Sequence, residues 1–144
     1  MAAVIIVLLW TLMAYRFWKT TAEEGIVTAN KRVMDEKKSR YEHATEIAGV
    51  ILDPLLYNKE QNSQELQHLS DAMVQTARVE RIIIMDQSGF VIASNDRKFL
   101  KTMQDGLITK GESTEETSEG YDVIRAIKHD GTKMGWVLMR FKLN

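Results

Sequence analysis

Apolar positions change their spacing repeatedly along this chain, and each change marks a different element. From Ala2 to Tyr15 nearly every residue is apolar and none is charged; Arg16, Phe17, Trp18 and Lys19 follow. A run that is apolar on every face is not an amphipathic surface helix. It falls short of the roughly 20 residues that span a bilayer, unless Phe17 and Trp18 count and Arg16 snorkels. Tyr15 and Trp18 suit the interfacial aromatic belt, and Arg16 and Lys19 the phosphate level. Three readings compete: a membrane anchor clipped at its N-terminus, a cleaved signal peptide, and a buried core helix. A signal peptide would carry a basic segment before the apolar run and a small-x-small site after it; neither is present. The anchor, residues 1–20, is the expectation.

Residues 21–57 are polar and helical in pattern. Val27, Met34, Tyr41, Ala48 and Leu55 recur every seven residues, with Ala44 and Ile51 between the later ones. Such 3-4 spacing makes a helical seam. The seam is either core against the chain's own sheet or a parallel dimer contact. Core fits the later half better, and a partner helix fits Val27 to Met34. Asp53-Pro54 predicts a kink or restart. Asn62 is placed to cap a second helix over about 63–78, with Glu65 three residues on. Leu66, Leu69, Met73 and Ala77 supply its apolar stripe.

From Arg81 the period becomes that of strands. Arg81–Asp86 and Phe90–Ser94 flank the turn residues Asp86-Gln-Ser-Gly89 and read as a hairpin. A short helix is predicted over 97–103, capped by Asn95 or Asp96. Residues 106–119 read as a loop with a short strand at 107–109 and the acidic stretch GESTEETSEG. Two closing strands, 121–128 and 133–143, surround a turn at His129-Asp130-Gly131. The expected fold class is α+β: a long N-terminal helix and a second helix packed on a 4–5-stranded antiparallel sheet.

Composition removes several functions. The 19 basic and 20 acidic side chains leave a net charge of -1, which offers no footprint for nucleic acid. There are no cysteines, so disulfides, Cys-ligated zinc and thiol nucleophiles are excluded. The three histidines, His43, His68 and His129, are far apart, and no metal site is expected. No phosphate-binding glycine loop, zinc-protease motif, Ca²⁺ loop or nucleophile elbow occurs. The carboxylate pairs Asp53/Glu60 and Glu115/Glu116 flank a helix kink and sit in a solvated loop. No enzyme activity and no cofactor are expected.

The order of elements, with the residues at the strands, resembles the Cache family of PAS-like extracytoplasmic sensor domains, in its single-Cache form. The carrying segments are Ile51-Leu-Asp-Pro-Leu-Leu56, Ile82 through Ser94, Tyr121 through Ile127, and Asp130-Gly-Thr-Lys-Met-Gly-Trp-Val-Leu-Met-Arg140. The match covers roughly residues 25 to 143 and makes 58–144 the sensor domain. It departs from the family in ending at Asn144, right after the last strand, where a member continues into a second span and an output domain.

The resemblance implies the ligand-sensing part of a bacterial membrane signal receptor: histidine kinase, cyclase or chemoreceptor, as in a two-component system. It implies a ligand between the sheet and the segment after the second strand, which would bring Ser94, Asn95 and Arg97 near Tyr121, Arg125 and Lys128. Cations with hydroxyl and amide donors suit a small anionic ligand such as a carboxylate. Arg125 shares a face with Val123 and Ile127, which singles it out among the six. The expected partners are the membrane and a second copy joined through the long helix. The expected place is the inner membrane, crossed once, with the domain periplasmic or extracellular. Arg16, Lys19, Lys31 and Arg32 all follow the apolar run, which by the positive-inside rule alone points the other way. The alternatives are a membrane-anchored structural or interaction module without a small ligand, and a cytoplasmic roadblock- or PAS-like partner domain.

Overall fold

The structure, a computed structural model, describes the backbone of residues 2–76 and 78–142, and their side chains except those of 2–7, 21 and 76. The elements are α1 (Ala2–Tyr57), α2 (Ser63–Thr76), β1 (Val79–Asp86), β2 (Val91–Ser94), a 3-10 turn (Arg97–Phe99), α3 (Asp105–Ile108), β3 (Ser113–Glu116), β4 (Gly120–His129) and β5 (Thr132–Lys142). Two compact units divide at Lys37/Lys38.

In the unit beginning at Lys38, one antiparallel sheet runs in the order β2-β1-β5-β4-β3. Its two faces bury different sets. Ile82, Ile84, Val123, Ile127, Val137, Met139 and Phe141 line the face under α1 and α2, where Leu52, Leu56 and Leu66 are also fully buried. Ile83, Met85, Val91, Ile124, Trp136 and Leu138 form the opposite face, packed against Phe99, Leu107, Ile108 and Ala126. The alternation along β1 and β5 produces this division, because successive side chains of a strand point to opposite faces.

The later half of the helical seam is core only in part: Ala48 is buried and Tyr41, Ala44 and Leu55 are half-buried, whereas Ile51 is exposed. Tyr41 stacks on Phe141 at 4.3 Å, and Thr45, Ala48 and Leu52 are buried below it. Helix α1 continues through Pro54 to Tyr57. Proline costs it one amide donor there, and the burial of Leu56 on the sheet holds the last turn in place. Asn62 opens α2 with its backbone carbonyl, which accepts from Leu66 N, while its side-chain amide points back to Leu55 O.

Asp86 builds the β1–β2 turn. Its Oδ1 accepts from Ser88 N, Ser88 Oγ and Phe90 N at 2.9, 2.7 and 3.0 Å. Gly89 (φ 96°) takes the left-handed conformation. A Cβ there would also meet the Asp105 backbone at 2.8 Å, so only glycine fits this contact with the start of α3. Two expectations fail between the hairpins. The short strand expected at 107–109 is the helix α3, and the strand lies instead at Ser113–Glu116, inside the acidic stretch. The helix expected over 97–103 is a single turn, capped by Asp96 through Lys98 N. Ala77 and Leu143, assigned from sequence to α2 and β5, lie outside the described residues.

The other unit is the helical stretch ending at Lys37. Its apolar side chains from Leu8 to Trp18 are exposed, Trp18 to 77% and Trp10 to 76%. Among the described residues no helix is long and apolar enough to cross a membrane. The side chains of residues 1–7, which belong to the expected anchor, lie outside that set.

Candidate functional site

The six residues expected to share a ligand do not share a cavity. Ser94 and Asn95 end β2, and β1 and β5 lie between β2 and β4. Three strand spacings therefore separate them from Tyr121 and Arg125, about 14 Å. Both are occupied with the backbone. Ser94 Oγ donates to Ile82 O at 2.7 Å. Asn95 accepts from Ile82 N at 2.8 Å and donates to Glu80 O, closing the edge of β1.

Tyr121 and Arg125 face α1. Tyr121 is buried, its ring 5.7 Å from Tyr41. Arg125 donates to the carbonyls of Ser113 and Ile124 at 3.0 and 2.8 Å and to Thr114 Oγ1 at 3.3 Å. Glu42 and Glu46 on α1 stand 3.7 Å from it. It is thus the clamp that ties the edge strand β3 to β4 and α1. Arg97 and Lys128 are exposed.

On the opposite face the cover is thin: the 3-10 turn, α3 and their connections. A cavity of about 130 Å³ opens there, with Leu107, Ile124 and Leu138 as its apolar walls and Lys110, Ser113, Glu115 and Asp122 as its polar ones. Lys110 pairs with Glu115 at 2.9 Å. Asp122 is held by Arg140 through two bonds, Nε to Oδ1 at 2.7 Å and Nη2 to Oδ2 at 2.8 Å. Those bonds, and Glu119 nearby, raise the guanidinium above its ordinary value against the opposing effect of burial. Within this layer the Trp136 indole Nε1 is buried and has no hydrogen-bond partner among the described residues, while Lys133 Nζ lies 4.3 Å from the ring centre. A buried donor left unpaired costs about 1–3 kcal/mol.

Sequence reasoning missed the charged groups that do gather on this face. Arg81 lies over Phe99 at 4.9 Å and 3.6 Å from Asp96, and Arg81 is paired with Arg140 across β1 and β5. The signal was available: Arg140 alternates with Leu138 and Trp136 as Arg125 does with Val123 and Ile127.

A second cleft, of about 340 Å³, lies at the turn end of the sheet among Leu56, Tyr57, Lys59, Asp86, Gln87, Ser88 and Met134. Its charged groups serve the fold: Asp86 makes the turn, and Lys59 stands 3.8 Å from it. Among the described residues no group of His, Cys, Asp and Glu side chains could hold a metal ion.

No protein-family model matches the chain, and no curated protein matches it by sequence. Solved structures do match. The sensor domain of the Vibrio cholerae histidine kinase DctB superposes over 77% of this chain with a TM-score of 0.58 and 16% identity. The chain spans about half of that structure, 51% of its length. At this identity the likeness is one of fold: residues of the second unit, with α1, form the PAS-like α+β fold found in a histidine kinase sensor domain.

Proposed function

We propose that the chain is the extracytoplasmic ligand-sensing domain of a membrane signal receptor, anchored by its N-terminal apolar run. The observation that carries the reading is the thinly covered sheet face, with its small cavity and the unpaired indole N–H of Trp136 in the same layer. The likeness in fold to a kinase sensor domain supports it. A cavity of 130 Å³ is below the 300–1,000 Å³ usual for ligand sites, so the ligand is small or α3 moves to admit it. Lys110 and Ser113 suit a carboxylate, and Glu115 or Asp122 an amine or hydroxyl. A small organic acid or amino acid meets both demands.

Signalling would pass through α1. Ile47, Val50 and Ile51 form an exposed apolar stripe on α1, with Val50 74% exposed, and Tyr57, 58% exposed, lies beyond them. Ligand binding would bias two arrangements of a dimer joined there, provided the ligand's affinity differs between them. The exposed apolar side chains from Leu8 to Trp18 suit burial in lipid.

A thermal-shift screen of small organic acids and amino acids tests the ligand. At a hundredfold excess over its dissociation constant a true ligand stabilises by about 2.7 kcal/mol, and Ser113→Ala, in the cavity wall, should weaken the response. If no compound shifts the wild type, the ligand reading fails. One observation would then favour a structural module instead: β3 is an open sheet edge bearing Glu115 and Glu116, available to another membrane protein.

A further inference from the structure

His129 closes β4 where the chain turns into β5, and its side chain is 35% exposed. Its Nδ1 stands 3.1 Å from both carboxylate oxygens of Asp53 on α1. Its ring centre lies 4.6 Å from that of Tyr57, one helical turn beyond Asp53. On the other side Nε2 is 3.6 Å from the carboxylate of Asp130, in the turn itself. The cations beside the turn, Lys128 on β4 and Lys133 on β5, are both exposed, and Lys133 lies over Trp136. Among the described residues, Asp53 and Tyr57 from α1 and Asp130 from the turn are therefore the titratable groups that meet the imidazole.

A neutral imidazole has one N–H. With Nδ1–H donating to Asp53, Nε2 turns a lone pair toward the Asp130 carboxylate, which repels it. A charged ring donates from both nitrogens and satisfies both carboxylates. We propose that His129 is a proton-operated latch between the sheet and the last turn of α1, tight when the imidazole is charged and loose when it is neutral. Imidazole is the side chain that ordinarily changes charge between about pH 5 and 8. Asp130 is 94% exposed and its contact is screened by solvent; Asp53, at 22%, carries most of the effect. Tyr57, whose ring meets the imidazole at a tilt of 36°, is 58% exposed, so the proton state reaches the surface of α1 directly. The inference needs only the packing of α1 on the sheet, and it stands whether or not a ligand binds the opposite face.

Amide-exchange protection of residues 53–57 and 128–132 in the full chain provides the test. The wild type should be about two- to fivefold better protected at pH 5.5 than at pH 8, the range expected of a partly exposed ion pair. His129→Gln should abolish that difference, and Asp53→Asn should reduce it. His43→Gln and His68→Gln, at exposed positions, should keep it. A wild-type difference that survives in His129→Gln overturns the proposal. If either variant is too unstable to compare, NMR titration of the wild type decides. The Asp53 carboxyl resonance should move together with the His129 ring, and independent titrations refute the latch.

Discussion

A guanidinium that meets two backbone carbonyls, a hydroxyl and two carboxylates has little left to offer a ligand. Arg125 is in that position, and its side chain is only 13% exposed. Hydrogen bonds to a charged group contribute about 1.5–3 kcal/mol each at best, and these join β3, β4 and α1. Arg125→Met should destabilise the fold by about 2 kcal/mol, seen in a denaturant melt. Asp86 is tied as firmly. Burial works against its charge, but the Ser88 hydroxyl, the Phe90 and Ser88 amides and Lys59 outweigh it and hold the carboxyl below its ordinary value. A carboxyl lowered on folding stabilises at neutral pH, and that stability is lost as the pH falls through its folded value. Asp86→Asn should therefore be less stable than wild type at pH 7 and lose less on acidification below about pH 4.

Helix α1 carries two apolar surfaces with different fates. Tyr41, Thr45, Ala48, Leu52 and Leu56 dock on the sheet, whereas Ile47, Val50, Ile51 and Tyr57 remain exposed. A charge placed in the second set should break self-association without unfolding the unit beneath. Ile51→Asp is expected to abolish cross-linking between Val50→Cys copies in vesicles, with an unchanged far-UV spectrum. Cross-linking that persists in Ile51→Asp, or that is absent from the Val50→Cys parent, would refute the stripe as the contact. The strands and helices with long, regular patterns were legible: α2, the β1–β2 hairpin and the β4–β5 hairpin all lie where their periods place them. The misplaced pieces are α3 and β3, each four residues long. Such segments carry less than two periods of any pattern, and neighbours decide them. Ser113–Glu116 is a strand because Arg125 and the edge of β4 recruit it, despite two adjacent glutamates of low strand propensity.

Across the whole molecule, local chemistry and long-range packing answer different questions. Periodicity and turn residues determined from sequence alone that this chain is α+β, with helices first and two antiparallel hairpins after. They also marked Asp86–Gly89 as a turn, and Tyr41 and Ala48 of the later helical seam as facing the sheet, though Ile51 of that seam is exposed. Hydrogen-bonding geometry and hydrophobic spacing act over a few residues, so they can be read in order along the chain. Only the tertiary structure decided that Ser94 and Asn95 stand three strands away from Tyr121 and Arg125, and that Arg125 faces α1 while Arg140 faces the thin cover. It also brought His129 to Asp53, 76 positions apart. The alternation of a strand divides side chains into two sets but does not say which set meets the helix. Strand order, which sets the distance between residues on different strands, is a property of the assembled sheet.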